Sequence, residues 1–441
     1  MKRQKLHLKA PDNWVNDPNG FIYYKGYYHL FYQYFPYAPR WGTMHWGHAV
    51  SKDLVSWEHK GLALYPTLKE DRNGCFSGSA VEDGGKMYLV YTGVRYEAVN
   101  PEDPHLCLDD QFESSQLMIS SEDGFTFDNE NGKEVIIPAL QDPEIGDRTH
   151  TRDPKIWKGK NGWMMIVGST FYGKYGEVLL YHSTDLHNWK YLNKISKGPR
   201  YGWMWECPDY FETEGGGVLL VSAMGLTENN EKEKNHAICF LADLREEDGQ
   251  MELFSDDYQF LDYGMDLYAP QTTPDAEGRR TMIAWVRMPK VTEEGWIGMF
   301  CSPRVVEIKR GHIYFRLHPE IRKAYSRKIT DAGEASENGY MTRFSLENGE
   351  SVDIGGYVIK REDNRLITDR TAVFPNFEGA HLKSETPELK EGCRMEVLVD
   401  RNLIEIFVND GEYVVSSAVY GLKDRFIHRI QSNVELYTSE A

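Results

Sequence analysis

Apolar and polar residues alternate in short runs along most of the chain, and the runs pair up around turn residues. Phe21 to Tyr32 (FIYYKGYYHLFY) reads as two strands joined at Lys25-Gly26, and Pro154 to Val167 (PKIWKGKNGWMMIV) repeats the pattern around Gly159. Further hairpins centre near Gly84, Gly215 and Ala276. One such turn therefore arrives roughly every 60 residues, a length that four short strands and their loops fill. Between them, Ser51-Lys-Asp-Leu-Val-Ser-Trp57 and Ser183-Thr-Asp-Leu-His-Asn-Trp189 share the pattern Ser-x-Asp-Leu-x-x-Trp, with a weaker copy from Ser121 to Phe127. Ser and Asp at this spacing cap a turn, and the aromatic ring that follows is expected to pack between sheets. Radial packing of four-stranded blades removes exposed sheet edges, and the repeat predicts five blades ending at about residue 315.

Strand signals lapse from Arg322 to Tyr340 (RKAYSRKITDAGEASENGY). Short apolar runs then return, among them Met395-Glu-Val-Leu-Val399 and Ile404-Glu-Ile-Phe-Val408 ahead of an Asn409-Asp410-Gly411 turn. The predicted fold class is all-β: a five-bladed β-propeller over 1–320, a linker region over 321–340 and a C-terminal β-sandwich over 341–441.

The 441 residues carry 68 acidic against 50 basic side chains, a formal net charge of -18. That field repels nucleic acid and anionic membranes, so neither is an expected partner. No apolar run reaches the length of a membrane span, and Met1-Lys2-Arg3 leads into mixed residues instead of the apolar stretch of a signal peptide, which predicts a cytoplasmic protein. Six scattered cysteines without a Cys-x-x-Cys pair suggest neither a zinc knuckle nor a dithiol centre, and no metal or cofactor is expected. His45 and His48 make a poor metal pair, because residues three apart in a strand point to opposite faces. A homo-oligomer is compatible with the sequence.

Candidate chemistry sits where blades begin. In a propeller the innermost strands meet at a central channel, so residues far apart in sequence can converge there. Three acids hold such positions: Asp17 in Trp14-Val-Asn-Asp-Pro-Asn-Gly20, Asp153 in His150-Thr-Arg-Asp-Pro154, and Glu206 in Trp203-Met-Trp-Glu-Cys-Pro-Asp209. Cleavage of a glycosidic bond needs two carboxyl groups with different duties, and surroundings set which of them keeps its proton. Glu206, between Trp205 and Cys207-Pro208, is expected in apolar surroundings. Asp17, beside Asn16 and Asn19-Gly20, is expected to be held charged by hydrogen bonds. Arg152 is placed to restrain a carboxylate or bind sugar hydroxyls. The spacing leaves retention or inversion open.

These motifs together resemble glycoside hydrolase family 32, the β-fructofuranosidases that include bacterial invertases, sucrose-6-phosphate hydrolases, levanases and inulinases. The resemblance runs from near residue 7 to the C-terminus and implies a five-bladed propeller with a sandwich. WVNDPNG resembles the family's nucleophile motif, with Val15 in place of the usual Met, and implies that Asp17 forms a covalent fructosyl intermediate. HTRDP implies that Asp153 stabilises the transition state, and MWECPD implies that Glu206 is the acid and base with Cys207 beside it. Asn16, Gln33, Trp41, Phe76, Ser77, Arg152, Cys207, Tyr268, Gln271 and Trp285 are implied substrate-binding residues. In the later motif Asn402 replaces the common Ser.

The implied activity is release of terminal β-D-fructofuranosyl units from sucrose and short fructo-oligosaccharides. Alternatives are a sucrose-6-phosphate hydrolase, a fructosyltransferase and a non-catalytic carbohydrate-binding protein. Arg95 to Glu113 (RYEAVNPEDPHLCLDDQFE) is longer and more acidic than usual; where it overhangs the pocket it shapes the leaving-group side, which counts against a preference for phosphorylated sucrose.

Overall fold

The computed structural model describes residues 4–227, 234–254, 257–335, 339–390, 392–423 and 426–439, so Met1-Lys2-Arg3 and residues 336–338 of the expected linker lie outside the described residues. The hairpin turns form where local chemistry permits reversal. Lys25 and Gly26 take φ of 46° and 83°, closing a two-residue turn between β1 (Asn13–Tyr24) and the strand Tyr27–Phe35. In the repeated Ser-Asp turn, Asp53 Oδ1 accepts from the backbone N–H of Val55 and Ser56 at 2.9 and 2.7 Å. Asp185 does the same for His187 and Asn188 at 2.9 and 2.8 Å, and Asp123 for Phe125 and Thr126 at 2.7 Å each. The next residue is left-handed in all three, Leu54 at 63°, Leu186 at 68° and Gly124 at 78°. The two leucines are fully buried, so burial offsets a conformation that glycine takes without strain.

Five sheets open with β1, β2 (Cys75–Asp83), β3 (Arg152–Gly159), β4 (Met204–Thr213) and β5 (Leu267–Pro274). These strands neighbour one another in order, and β5 also packs against β1. Each is broken near its start. The register slips between Val15 and Pro18, Cys75 and Gly78, Arg152 and Lys155, Glu206 and Asp209, and Tyr268 and Gln271. Four breaks contain an X-Pro step, at Pro18, Pro154, Pro208 and Pro270; proline has no N–H for the ladder and so favours a bulge. The fifth contains Gly78, where a Cβ would lie 2.0 Å from the Val90 carbonyl oxygen. A bulge turns the local side chains out of strict alternation, and at these five places it turns them into a common cavity.

The expected fold class is corrected. The chain is mostly β and not all-β: a helix, α1 (Pro319–Ala324), and three short 3-10 turns occur among the described residues. The strands form seven sheets, and the five that contain β1 to β5 hold six, four, four, five and five strands instead of four each. In the first, Trp296–Ile297 adds in parallel beside Asn13 and Trp14, and Gln4–Lys5 adds along Ser56–Leu64 at the opposite edge. Hairpin patterns report neighbours joined by a turn, and they carry no signal for a strand returning from distant sequence.

The last two sheets, of six and five strands, enclose a core of their own and are joined to the first five by buried charges. Fully buried Arg304 donates to Asp262 at 2.9 Å, to Glu405 at 2.8 Å and to Ser416 at 2.7 Å. His7 bridges Asp400 and Glu405 at 2.9 and 2.7 Å, and Arg370 pairs with Asp266. Burial alone would lower the His7 pKa, but the two carboxylates outweigh it and hold the imidazole above its ordinary value. Buried charges require such partners, and here the partners come from both ends of the chain. Arg327–Ile329 pairs with Glu435–Thr438, drawing part of 321–340 into the six-stranded sheet. No helix among the described residues is long and apolar enough to cross a membrane.

Candidate active site

The bulges in β1, β3 and β4 bring Asp17, Asp153 and Glu206 to one cavity of about 510 Å³. Asp153 takes φ 67° and Cys207 φ 46°, left-handed conformations that reverse the side-chain direction within each strand. Asp17 Oδ2 accepts from Ser77 Oγ at 2.6 Å and Oδ1 from Asn16 Nδ2 at 3.1 Å, while Trp14 Nε1 donates to Asn16 at 2.8 Å and fixes the amide. The Cys207 thiol lies 3.5 Å from both Asp17 Oδ2 and Asp153 Oδ2, and the Cys207 backbone N–H donates to Asp153 at 2.9 Å.

Glu206 sits in different surroundings from those its sequence neighbours suggest. Trp205 turns away into the core, where its indole donates to the Tyr201 carbonyl at 2.7 Å. The Glu206 carboxylate faces polar groups instead: Arg152 Nη2 and Nε reach Oε1 at 2.8 and 3.1 Å, and Tyr268 Oη donates to Oε2 at 2.7 Å. Strand alternation places Trp205 and Glu206 on opposite faces, so adjacency in sequence says little about shared environment.

Burial pushes the Asp17 carboxyl above its ordinary range; the hydrogen bond from Ser77 opposes this, and the nearby Glu206 charge adds to it. The expectation that flanking amides keep Asp17 charged is therefore only half of the balance. Burial also raises Asp153, to about 7, against the pull of Arg152 and with the help of Glu206 and Asp17. Burial and the neighbouring negative charges thus raise Asp17 and Asp153 together.

A stability prediction follows. Between the ordinary carboxyl value of 3.8 and about 7, native Asp153 holds a proton that the unfolded chain has lost, so its contribution to stability falls as pH rises through that window. Asp153→Asn removes this loss. Urea unfolding at pH 5 and pH 8 should show the wild type losing roughly 2 kcal/mol more than the variant across the interval; equal losses would contradict the assignment.

Of the sequence-predicted binding residues, Asn16, Gln33, Trp41, Phe76, Ser77, Arg152, Tyr268 and Trp285 line the cavity together with the three acids. Trp285 packs edge-on against Trp14 with centroids 6.1 Å apart, and its buried indole N–H has no protein acceptor. Cys207 does not line the cavity; its thiol instead contacts the two aspartates. Gln271 is also set back, receiving the Phe21 N–H at 3.1 Å and donating to the Gly78 carbonyl at 3.1 Å, so it joins β5 to β1 and β2.

Sequence reasoning missed Trp14, His150, Trp203 and Met224 as lining residues. The first three lie within three residues of an acid already singled out, a usable signal; Met224 comes from the strand Gly216–Leu226 and carried none. The acidic segment does reach the cavity, through Tyr96, Leu106, Cys107, Asp110 and Phe112.

The arrangement defines a mostly-β protein whose inner strands present buried acids to a sugar-sized cavity, a setting suited to cleaving a glycosidic bond. Residues 7–319 match the glycosyl hydrolases family 32 N-terminal domain, and residues 322–438 match the family 32 C-terminal region. The chain belongs to glycosyl hydrolase family 32 and is a carbohydrate-active enzyme. It is similar to a raffinose invertase of Escherichia coli, at 33% identity over 95% of this chain and 90% of that protein. A sucrose-6-phosphate hydrolase of Zymomonas mobilis is 33% identical over 96% of this chain and 88% of its own length. Among solved structures, a β-fructofuranosidase of Bombyx mori matches with TM-score 0.83 at 29% identity, covering 99% of this chain and 93% of that one.

Proposed function

We propose that this enzyme hydrolyses terminal β-D-fructofuranosyl units of sucrose and short fructo-oligosaccharides with retention, through a covalent fructosyl-enzyme. The observation that carries the reading is the collection of Asp17, Asp153 and Glu206 in one cavity, with a different set of donors on each. The relatives named above, an invertase and a β-fructofuranosidase, support the choice of fructosides. We assign the chemistry to 1–320, with 321–340 as connection and 341–441 as support.

In the proposed cycle the Asp17 carboxylate attacks C2 of the fructosyl unit. The C2–O bond to the leaving sugar breaks as Glu206 gives its proton to the departing oxygen. Glu206, now a carboxylate held by Arg152 and Tyr268, takes a proton from water. The resulting hydroxide bonds to C2 and frees Asp17. Asp153 accepts hydrogen bonds from fructose hydroxyls and positions the ring.

Asp153 accepts from fructose hydroxyls as a carboxylate, and burial holds its carboxyl up to about 7. Purified enzyme with sucrose or 1-kestose should release fructose, with kcat/KM falling as pH drops below about 7 and Asp153 takes up a proton. Proton NMR should show β-fructofuranose as the first-formed anomer. Inverted product would reject the covalent route, and absence of fructose from both sugars would reject the substrate class.

A further inference from the structure

The charges around the cavity are unequal in a way that bears on its leaving-group side. Asp17, Asp110, Asp153 and Glu206 supply four acids, and Arg152 is the one Lys or Arg among the described lining residues. Arg152 is already committed, through Nε and Nη2 to Glu206 and through Nη1 to His150 at 3.1 Å. His150 adds no cation at neutral pH, because burial and then the Arg152 charge push its pKa down. Three cations around the acidic loop are paired as well: Arg40 with Asp103 at 2.8 Å, Arg95 with Glu113 at 2.5 Å, and Arg148 with Glu113 and with Glu97.

Exposure places Asp110 outward of Glu206: both line the cavity, and Asp110 is solvent-exposed while Glu206 is half-buried. From Glu206 the chain of contacts passes to Arg152 and then to His150, whose ring meets Trp203 and Phe112 edge-on at 5.3 and 5.7 Å. Asp110 acts on His150 through its charge and is solvent-exposed. A sugar leaving past Glu206 would therefore depart toward Asp110. The loop that presents it is held in place: Glu97 N–H donates to the Gln111 carbonyl at 2.7 Å, Leu108 N–H to the Ala98 carbonyl at 2.9 Å, and His105 meets Thr43 Oγ1 at 2.9 Å. Asp109 and Asp110 are both left-handed, with φ of 51° and 52°, so the tip has a defined direction.

We propose that Asp110 makes the enzyme discriminate against leaving groups that carry a phosphate, leaving neutral glucosyl and fructosyl groups as its substrates. The proposal rests on the fructosidase reading above. A sugar phosphate brings a charge of about −2 near neutral pH and is ordinarily met by Arg, Lys or clustered backbone N–H groups. Here it meets a carboxylate held on an ordered loop at the cavity wall, with no uncommitted cation among the described lining residues. The effect is rejection by like charge, not absence of room.

The test compares kcat/KM for sucrose and for sucrose 6-phosphate in the wild type and in Asp110→Asn, a residue that tolerates the left-handed conformation. The wild type should favour sucrose by about tenfold or more, and the ratio of phosphorylated to neutral substrate should rise about tenfold in the variant. Added salt should narrow the wild-type preference and leave that of the variant nearly unchanged. Equal or greater wild-type efficiency on sucrose 6-phosphate, or an unaltered ratio in D110N, overturns the discrimination while leaving the fructosidase reading intact. Fructose from neither substrate overturns both.

Discussion

Asp17→Asn should lower kcat on sucrose by about 10⁴-fold or more while leaving the folded protein as stable as before. The amide fills the same volume beside Ser77 and Asn16 but cannot form a bond to C2, so the covalent step is lost. Stability moves the other way. Burial holds the Asp17 carboxyl above its ordinary range, so its ionised form costs native stability once the pH exceeds the unfolded value, and a neutral amide removes that cost. The expected outcome is an inactive variant whose urea midpoint at pH 8 equals or exceeds that of the wild type, a common trade between activity and stability. Activity within tenfold of wild type would remove Asp17 as nucleophile. A collapsed midpoint would mean that its role is structural.

Arg304→Met should have the largest effect on stability, a loss of about 3–5 kcal/mol at pH 8 by urea unfolding. The guanidinium is fully buried and serves Asp262, Glu405 and Ser416 at once; methionine fills part of the space and leaves two buried carboxylates short of a cation. The penalty should shrink at pH 5. Burial already raises Asp262 even with Arg304 present, and without the arginine the native state takes up protons that the unfolded chain does not hold, so stability falls as pH rises. A loss that does not change with pH would show packing, not charge, to be the main contribution. Glu405, lowered to about 2 by burial-opposing bonds from His7 and by Arg304, ties the N-terminal residues to the same network, so the variant should also loosen the segment around His7.

Much of the site was legible in the sequence because each acid lies in a short motif with its own signature. Asp17 and Asp153 stand before proline, and Glu206 lies two residues before Pro208. The fuller signal is the recurrence of an X-Pro step in four of the five inner strands, including Ala269-Pro270, which would have marked Tyr268 from residues alone. Environments were less legible. Glu206 shares no face with Trp205, and its partners Arg152 and Tyr268 come from strands 54 and 62 residues away. The acidic loop showed its charge in sequence, but not that five of its residues reach the cavity.

By itself the sequence determined the short-range features: strands of period two, turns closed by Gly26 or capped by Asp53 and Asp185, and the prolines that interrupt inner strands. Each depends on a few adjacent residues, whose sterics and hydrogen bonds act over a single turn. Only the tertiary structure decided that Trp296–Ile297 joins the first sheet in parallel, that Arg304 holds Asp262 and Glu405 in one buried network, and that burial raises Asp17 and Asp153 together. Those outcomes depend on which distant groups share a region from which water is excluded, and desolvation and charge pairing there are set by folded geometry, to which local pattern is blind.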